Sequence, residues 1–233
     1  MKKRTPTYNE QEEHAFSQSA GDLMAGLLFI FILLLMGALL LVQEKKEEDE
    51  KIVKQYDDIK TQLYIDLQEE FKHDLKTWRA TIDSTTLCVR FQEPSVLFDY
   101  DKDELKPLFK RILNDFFPRY IKILNDSLYR DHIEEIRIEG HTDSNGGYFY
   151  NMELSQDRTR AVLQYCLEHT QISLEEGAWA KKLITANGLS SSQTILGANG
   201  TEDKALSRRV EFRVRTDAEK QLEKIARNRE EAK

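Results

Sequence analysis

Leu23 to Val42 reads LMAGLLFIFILLLMGALLLV, twenty consecutive residues with no charge and no strongly polar group. Wound as a helix at 1.5 Å per residue, such a run spans about 30 Å, the thickness of a bilayer's hydrocarbon core. A cleaved signal peptide has a shorter apolar region followed by a small-residue cleavage site. Here the run gives way to Gln43-Glu44-Lys45-Lys46, which is no such site. The run therefore reads as an uncleaved signal anchor. Residues 20–42 form a single membrane-spanning helix, residues 1–19 lie on one side, and the rest of the chain lies on the other.

Asp22 stands at the start of the run, after Ala20-Gly21. As a helix N-cap its carboxylate would accept backbone N–H bonds and suit the positive helix end. The weakly polar stretch Phe16 to Gly21 also allows the helix to begin earlier, which places Asp22 inside the bilayer. A carboxylate there is costly, so it is retained for function. Position alone leaves both readings open. Charge does not decide the orientation: Lys2, Lys3 and Arg4 precede the run, whereas Lys45, Lys46, Lys51, Lys54 and Lys60 follow it. A bare count puts the wrong end inside for an N-inside protein.

Outside the run the chain is acidic, with 34 Lys+Arg against 41 Asp+Glu and a net charge of −7. Phosphate contacts need clustered positive charge, so no nucleic-acid partner is expected. Two cysteines cannot make a disulfide framework or a multi-cysteine zinc site. No arrangement of nucleophile, base and orienting group stands out, so the chain is not expected to be an enzyme or to carry a cofactor.

Gln43 to Asp83 contains no Gly and no Pro. Its apolar residues recur at Ile52, Tyr56, Ile59, Leu63, Leu67, Phe71, Leu75, Trp78 and Ile82. Steps of three and four make this a helical stripe with a period slightly above 3.6. The stripe needs a partner. A second copy would give a coiled-coil-like spacer over residues 43–83 with little or right-handed supercoil. A single amphipathic helix packed on the following domain would serve as well.

From Thr85 the periodicity changes. Leu87 to Phe91 alternates as a strand does, and Ser95 to Tyr100 is a second short extended run. Asp103 to Leu124 has helical spacing, Ile133 to Glu139 alternates, and Leu154 to Leu167 and Glu175 to Ala186 are helical. Thr194 to Leu196 reads as a short strand, and Val210, Phe212 and Val214 alternate with charged residues in a last one. The order predicts a helix layer on a mixed sheet, an α+β sandwich over residues 84–216. A charged tail, 217–233, follows.

Asp143 closes one of these strands and Arg158 lies in the first turns of the next helix, joined by a connection that can fold them together. An acid beside a guanidinium fork suits a zwitterion: carboxylate to ammonium, guanidinium to carboxylate. Without further signal, the pair reads as an ordinary surface ion pair. Three segments resolve this. They are Val96-Leu97-Phe98-Asp99-Tyr100-Asp101 with Leu105-Lys106-Pro107; Ile136 to Asp143 (IRIEGHTD) with Asn151 to Arg158 (NMELSQDR); and Ser207-Arg208-Arg209-Val210-Glu211. In this order they resemble the peptidoglycan-binding domain of the OmpA family. That resemblance implies an OmpA-like fold and a peptidoglycan stem peptide as ligand. By resemblance, Asp143 takes the amine of its diaminopimelate, Arg158 takes the carboxylate, and Thr142, Asn151 and Leu154 complete the pocket. The family's usual Ala after the Arg is Thr159 here, with Ala161 two places on, so the packing at that point is expected to differ.

Other groupings are weaker. Glu139, His141 and Asp143 share one strand face but lack an obvious fourth ligand, so no metal is expected. Tyr148-Phe149-Tyr150 reads as pocket wall or as ordinary packing. Cys88 lies on the strand face of Arg90 and Cys166 on a helix's core face, so an internal disulfide is not expected; pairing of Cys88 between two copies stays open.

Peptidoglycan is periplasmic, so the OmpA resemblance puts residues 1–19 in the cytoplasm and the C-terminal domain outside the inner membrane. Ala20-Gly21-Asp22-Leu23-Met24-Ala25 then resembles the membrane segment of MotB-type stator subunits, and NMELSQDR resembles their form of the binding motif. The resemblance implies a homodimer within a pentameric ring of MotA-like subunits, with Asp22 carrying ions. A proton is favoured over sodium because the run after Asp22 holds no Ser or Thr. The short chain and helical spacer resemble a non-flagellar relative, such as the MotB-like subunits of Zorya anti-phage motors. The alternative is a passive tether between inner membrane and peptidoglycan.

Overall fold

The structure is a computed structural model and describes residues 8–92, 97–217 and 227. It divides into two compact units, the first ending at Ile52 and the second beginning at Val53.

The first unit is helical. Helix α1 (Tyr8–Phe71) contains the whole apolar run and continues into the second unit. Every residue from Leu23 to Val42 is exposed, as expected of a helix whose apolar surface needs lipid or other helices. α1 begins at Tyr8, so Asp22 lies fourteen residues, about 21 Å, inside it. The backbone N–H groups near Asp22 are bonded within the helix. This removes the helix-cap reading.

In the second unit, the helical stripe finds its partner. Leu63, Leu67 and Phe71 are completely buried. They belong to the same core as helix α3 (Pro107–Leu124), whose buried face is Phe109, Ile112, Leu113, Phe116, Phe117, Tyr120, Ile121 and Leu124. Polar contacts flank this seam. Arg119 donates to Glu70 Oε1 at 2.7 Å, to the Glu70 carbonyl at 2.8 Å and to Asp74 Oδ2 at 3.0 Å, with its guanidinium 4.9 Å from the Phe71 ring centre. Tyr129 donates to Asp66. This end of the spacer is therefore a single amphipathic helix packed on the domain, the second of the two arrangements the stripe allows.

The helix expected to reach Asp83 stops at Phe71. A turn at Lys72–Asp74 leads to the short α2 (Leu75–Trp78), which ends at Arg79 in the left-handed conformation (φ 51°). Strand β1 (Ala80–Asp83) follows. Tertiary pairing outweighs the helical period here. Ile82 sits opposite Val89 of β2 (Cys88–Phe91), and Trp78 packs on Phe71, Phe91 and Phe116.

The remaining elements are β3 (Ile133–His141), α4 (Tyr148–His169), α5 (Leu174–Leu183), β4 (Ile184–Gly188), the short α6 (Lys204–Ser207) and β5 (Arg209–Thr216). The sheet order is β1-β2-β5-β3-β4, antiparallel except for the parallel β3–β4 pair. Alternation along the strands gives the sheet two unlike faces. Val89, Phe91, Ile136, Ile138, Val210, Phe212 and Val214 enter the hydrophobic core, and Phe212 lies edge-on to Phe116 at 5.0 Å. The intervening positions carry charge. The fold is α+β, a helix layer on a mixed sheet.

Several elements differ from expectation, among them α4, which begins at Tyr148 and not at Leu154. The helix expected to run to Ala186 ends at Leu183, and β4 begins because Ile184 to Gly188 pairs in register with Ile136 to Gly140. Thr194 to Leu196 is not a strand; Leu196 makes one isolated bridge to Glu202. Of the run expected at Ser95 to Tyr100, residues 95 and 96 lie outside the described residues, and Phe98 bridges Leu105. The tail beyond 217 also lies outside them, apart from Arg227.

Because Leu63, Leu67 and Phe71 complete this core, Leu67→Ala in a fragment starting at Val53 should cost about 2–5 kcal/mol in denaturant unfolding. A cost below about 1 kcal/mol, the level of an exposed site, would mean the helix end is not part of the core.

Candidate functional site

The site grows from one close contact. Gly140, at the end of β3, faces α4 so tightly that a Cβ there would lie 2.6 Å from Thr159 Cγ2 and 2.9 Å from the Ser155 carbonyl. Gly188 of β4 approaches closer still, with a Cβ position 2.4 Å from the Gln156 amide nitrogen. Thr159 is fully buried here, and its hydroxyl donates back to the Ser155 and Gln156 carbonyls at 3.1 and 3.0 Å. The β-branched residue is thus accommodated by a glycine opposite it.

This contact brings the loop after β3 over the first turns of α4. Thr142, Asp143, Asn151, Leu154 and Arg158 all line one cavity of about 430 Å³. Asn151 is buried, and its amide donates to the Asn145 carbonyl at 2.8 Å and the Asp143 carbonyl at 3.3 Å, so it fixes the loop that presents Asp143. The Thr142 amide bonds the Ser190 carbonyl at 2.9 Å, while its buried hydroxyl has no hydrogen-bond partner among the described residues. Tyr150 also lines the cavity and donates to Asp101; Phe149 points out to solvent.

The two charged groups are held differently from the simple pair expected. Arg158 Nε donates to the Lys102 carbonyl at 2.8 Å and Nη2 to the Asp99 carbonyl at 3.1 Å, with the guanidinium 5.0 Å from the Phe98 ring centre. Among the described residues no carboxylate lies within ion-pair distance of it. Burial, the largest influence, pushes Arg158 below the usual arginine range. Asp143, nearly buried, accepts the Asn145 amide at 2.9 Å and an ion pair from Arg208, not Arg158. Arg208 carries no role in the sequence reading. The signal was present in the Ser207-Arg208-Arg209 segment, but nothing in that spacing says which arginine faces Asp143.

Beside the cavity, the polar face of the sheet holds a buried charge network. Glu211 on β5 accepts Arg90 Nε and Arg209 Nε at 2.6 Å each, Arg213 Nη2 at 3.1 Å and the Cys88 thiol at 3.3 Å. Burial raises its carboxyl, but the Arg209 and Arg90 contacts outweigh this and hold it at about 2. His141 lies 3.9 Å from both Glu139 and Glu211, and neither ring nitrogen has a hydrogen-bond partner among the described residues. The metal-like trio is therefore Glu139, His141 and Glu211, not the Glu139, His141 and Asp143 considered from spacing. Asp143 turns into the cavity instead. Four guanidiniums, of Arg90, Arg137, Arg209 and Arg213, already occupy the trio's carboxylates, so a cation would enter against their charge. Cys88 and Cys166 are free and buried, which leaves Cys88 inaccessible to a second copy.

A membrane-length apolar helix joined to an α+β domain with an acid–guanidinium cavity is the architecture of a membrane-anchored chain carrying an OmpA-like domain. The OmpA family matches residues 97–208. The chain is 44% identical over 231 residues to Zorya protein ZorB from Escherichia coli (Crooks strain), covering 96% of each chain. It is 27% identical over 211 residues to Zorya protein ZorB from Escherichia coli O139:H28, covering 88% of this chain and 82% of that one. Among solved structures it resembles a MotB-like protein from Desulfovibrio vulgaris at 24% identity, over 71% of this chain and 94% of that one, with a TM-score of 0.49. The chain belongs to the ZorB family.

His141 gives the domain a readable acid response. Burial, reinforced by Arg209, lowers its imidazole from the usual value to about 3. It is therefore neutral when folded and takes up a proton on unfolding below pH 6.5. The stability it contributes is complete above 6.5 and is lost progressively as pH falls toward 3. Between pH 6.5 and 5 this amounts to about 2 kcal/mol. Denaturant unfolding of His141→Gln should show a correspondingly flatter pH dependence over that window; an unchanged slope would place the acid sensitivity elsewhere.

Proposed function

We propose that this chain is the peptidoglycan-anchored subunit of an ion-driven rotary motor in the bacterial inner membrane. Its N-terminus is cytoplasmic and its OmpA-like domain periplasmic. The observation that carries the anchoring is the convergence of Asp143, Asn151, Leu154 and Arg158 on one cavity, with a guanidinium that lacks an anionic partner among the described residues. Such a cavity suits the zwitterionic end of diaminopimelate in a stem peptide: Arg158 binds its carboxylate and Asp143 its ammonium.

The motor reading rests on Asp22. It lies within α1 and not at its end, at the edge of an apolar run that is exposed throughout. A ring of MotA-like subunits around two copies of this chain would shield it. The carboxylate then takes up an ion, most simply a proton, from the periplasmic side and releases it inward. One charge crossing 100 mV supplies about 2.3 kcal/mol. Anchored to the wall, this chain stays still while its partner ring turns. Membership of the ZorB family supports a role for that rotation in defence against phage. In the alternative, a passive tether, Asp22 moves no ion.

Asp143→Ala and Arg158→Ala should each abolish pull-down of the full chain by purified sacculi while leaving the unfolding transition in place. Each leaves half of the zwitterion unpaired, a loss of about 1.5–3 kcal/mol for one charged hydrogen bond. Undiminished pull-down by both variants would end the peptidoglycan assignment.

Asp22→Asn separates motor from tether. The amide cannot exchange a proton, and it lowers the cost of insertion, so the variant should assemble with its partner at least as well as the parent. It should nevertheless lose all ion-driven activity in membranes where co-purification confirms assembly. Full activity would reduce the protein to a tether.

A further inference from the structure

The pairing of Asp143 with Arg208 creates a problem for any ligand that brings an ammonium. The carboxylate meant to receive that ammonium already holds a guanidinium. Its other oxygen accepts the Asn145 amide. An incoming ammonium must therefore displace Arg208 or share a crowded acceptor. Arg208 is placed to move. It follows the short helix α6, at the junction with β5, and its side chain is 38% exposed, whereas that of Asp143 is 8% exposed. Arg158, by contrast, is pinned by two backbone carbonyls and an aromatic face.

Both arginines line the same cavity. A carboxylate offers about four acceptor positions and can take two guanidiniums at once. We propose that Arg208 is a displaceable internal counter-ion: it occupies the ligand ammonium's place on Asp143 in the empty pocket and turns onto the ligand's carboxylate when the ammonium arrives. The exchange keeps both Asp143 and Arg208 paired in both states. It also makes the pocket selective. A ligand with ammonium and carboxylate on one carbon satisfies both Asp143 and the released Arg208. A ligand with an ammonium alone, or with its carboxylate amidated, evicts Arg208 and leaves it without a new partner. This inference rests on the stem-peptide reading of the cavity and adds to it which stem peptides are rejected.

The test is calorimetric titration of the full chain in detergent with three peptides. Each is L-Ala-D-Glu followed by meso-diaminopimelate, by diaminopimelate amidated at the side-chain carboxylate, or by lysine. The parent should prefer the free carboxylate over the amide by more than tenfold. In Arg208→Gln that preference should fall about tenfold, the worth of one charge-assisted hydrogen bond. The lysine peptide should bind this variant more tightly than it binds the parent, because Asp143 no longer carries a competitor. Arg208→Lys retains a competing charge without the fork, so its preference should fall while its lysine-peptide affinity stays at the parent's level. An unchanged preference in Arg208→Gln, or an equal loss for all three peptides, overturns the inference and makes Arg208 a structural ion pair. Failure of the parent to bind any of the three overturns the stem-peptide reading itself, an outcome distinct from loss of discrimination in the variants.

Discussion

The cavity exists because two glycines let a sheet edge and a helix approach more closely than side chains normally permit. At Gly140 and Gly188 even a methyl group would collide with Thr159, Ser155 or the backbone at Gln156. The contact fixes the distance between the end of β3 and the first turns of α4, and thus between Asp143 and Arg158. Around it the polar atoms are satisfied locally. The Ser190 amide bonds the Ser155 hydroxyl at 3.0 Å, and the Gly188 amide bonds the Gln156 side chain at 2.8 Å. The binding groups are therefore positioned by packing and backbone bonds; the Arg158 charge is left for a ligand, whereas that of Asp143 is held by Arg208.

The other face of the sheet applies the opposite logic. Buried ions are costly, and their mutual attraction repays desolvation only when geometry is good and the remaining acceptors are filled. Glu211 meets that condition with three arginines and a thiol, which is why it stays ionised despite complete burial. His141 is the member left over. Hemmed in by the same arginines, it remains neutral, and its ring nitrogens lack hydrogen-bond partners among the described residues. Arg209 links this network to the cavity, since it lines the cavity and also binds Glu211.

Much of this was legible in the sequence, for reasons that differ by element. The apolar run was unmistakable because length alone separates a bilayer-spanning helix from a core helix. Strand alternation in Ile133 to Glu139 and Val210 to Val214 was readable because the two sheet faces differ so sharply in polarity. The five cavity residues emerged from motif resemblance, and they do converge. β1 and β4 were missed because each adjoins a helix and follows its period. Ile82 and Ala186 each continue a helical stripe, and only pairing with Val89 and with Ile138 makes them strands. The partner of Asp143 was missed for a related reason: Arg158 was the nearer candidate by motif, whereas Arg208 arrives from 65 residues away.

The exposed stretch of α1 carries its own requirement for company. Apolar side chains from Leu23 to Val42 are satisfied by lipid, but Asp22 is not. A carboxylate within a bilayer costs about 2.5–3.5 kcal/mol on insertion scales unless water or another polar group reaches it. The run after Asp22 contains no Ser, Thr, Asn or Gln to share the charge, and within helical reach only Gln18 and Ser19, one turn earlier, are polar. One helix cannot enclose its own side chain either. On the proposed reading, what neutralises Asp22 comes from other helices, and a carboxylate solvated by a partner is one whose protonation that partner can control. A passive tether has no use for such a residue, since Leu or Ala at the same position would anchor better. The cost of keeping Asp22 is thus the physical argument for the proposed motor, and it is independent of the proposed stem-peptide cavity.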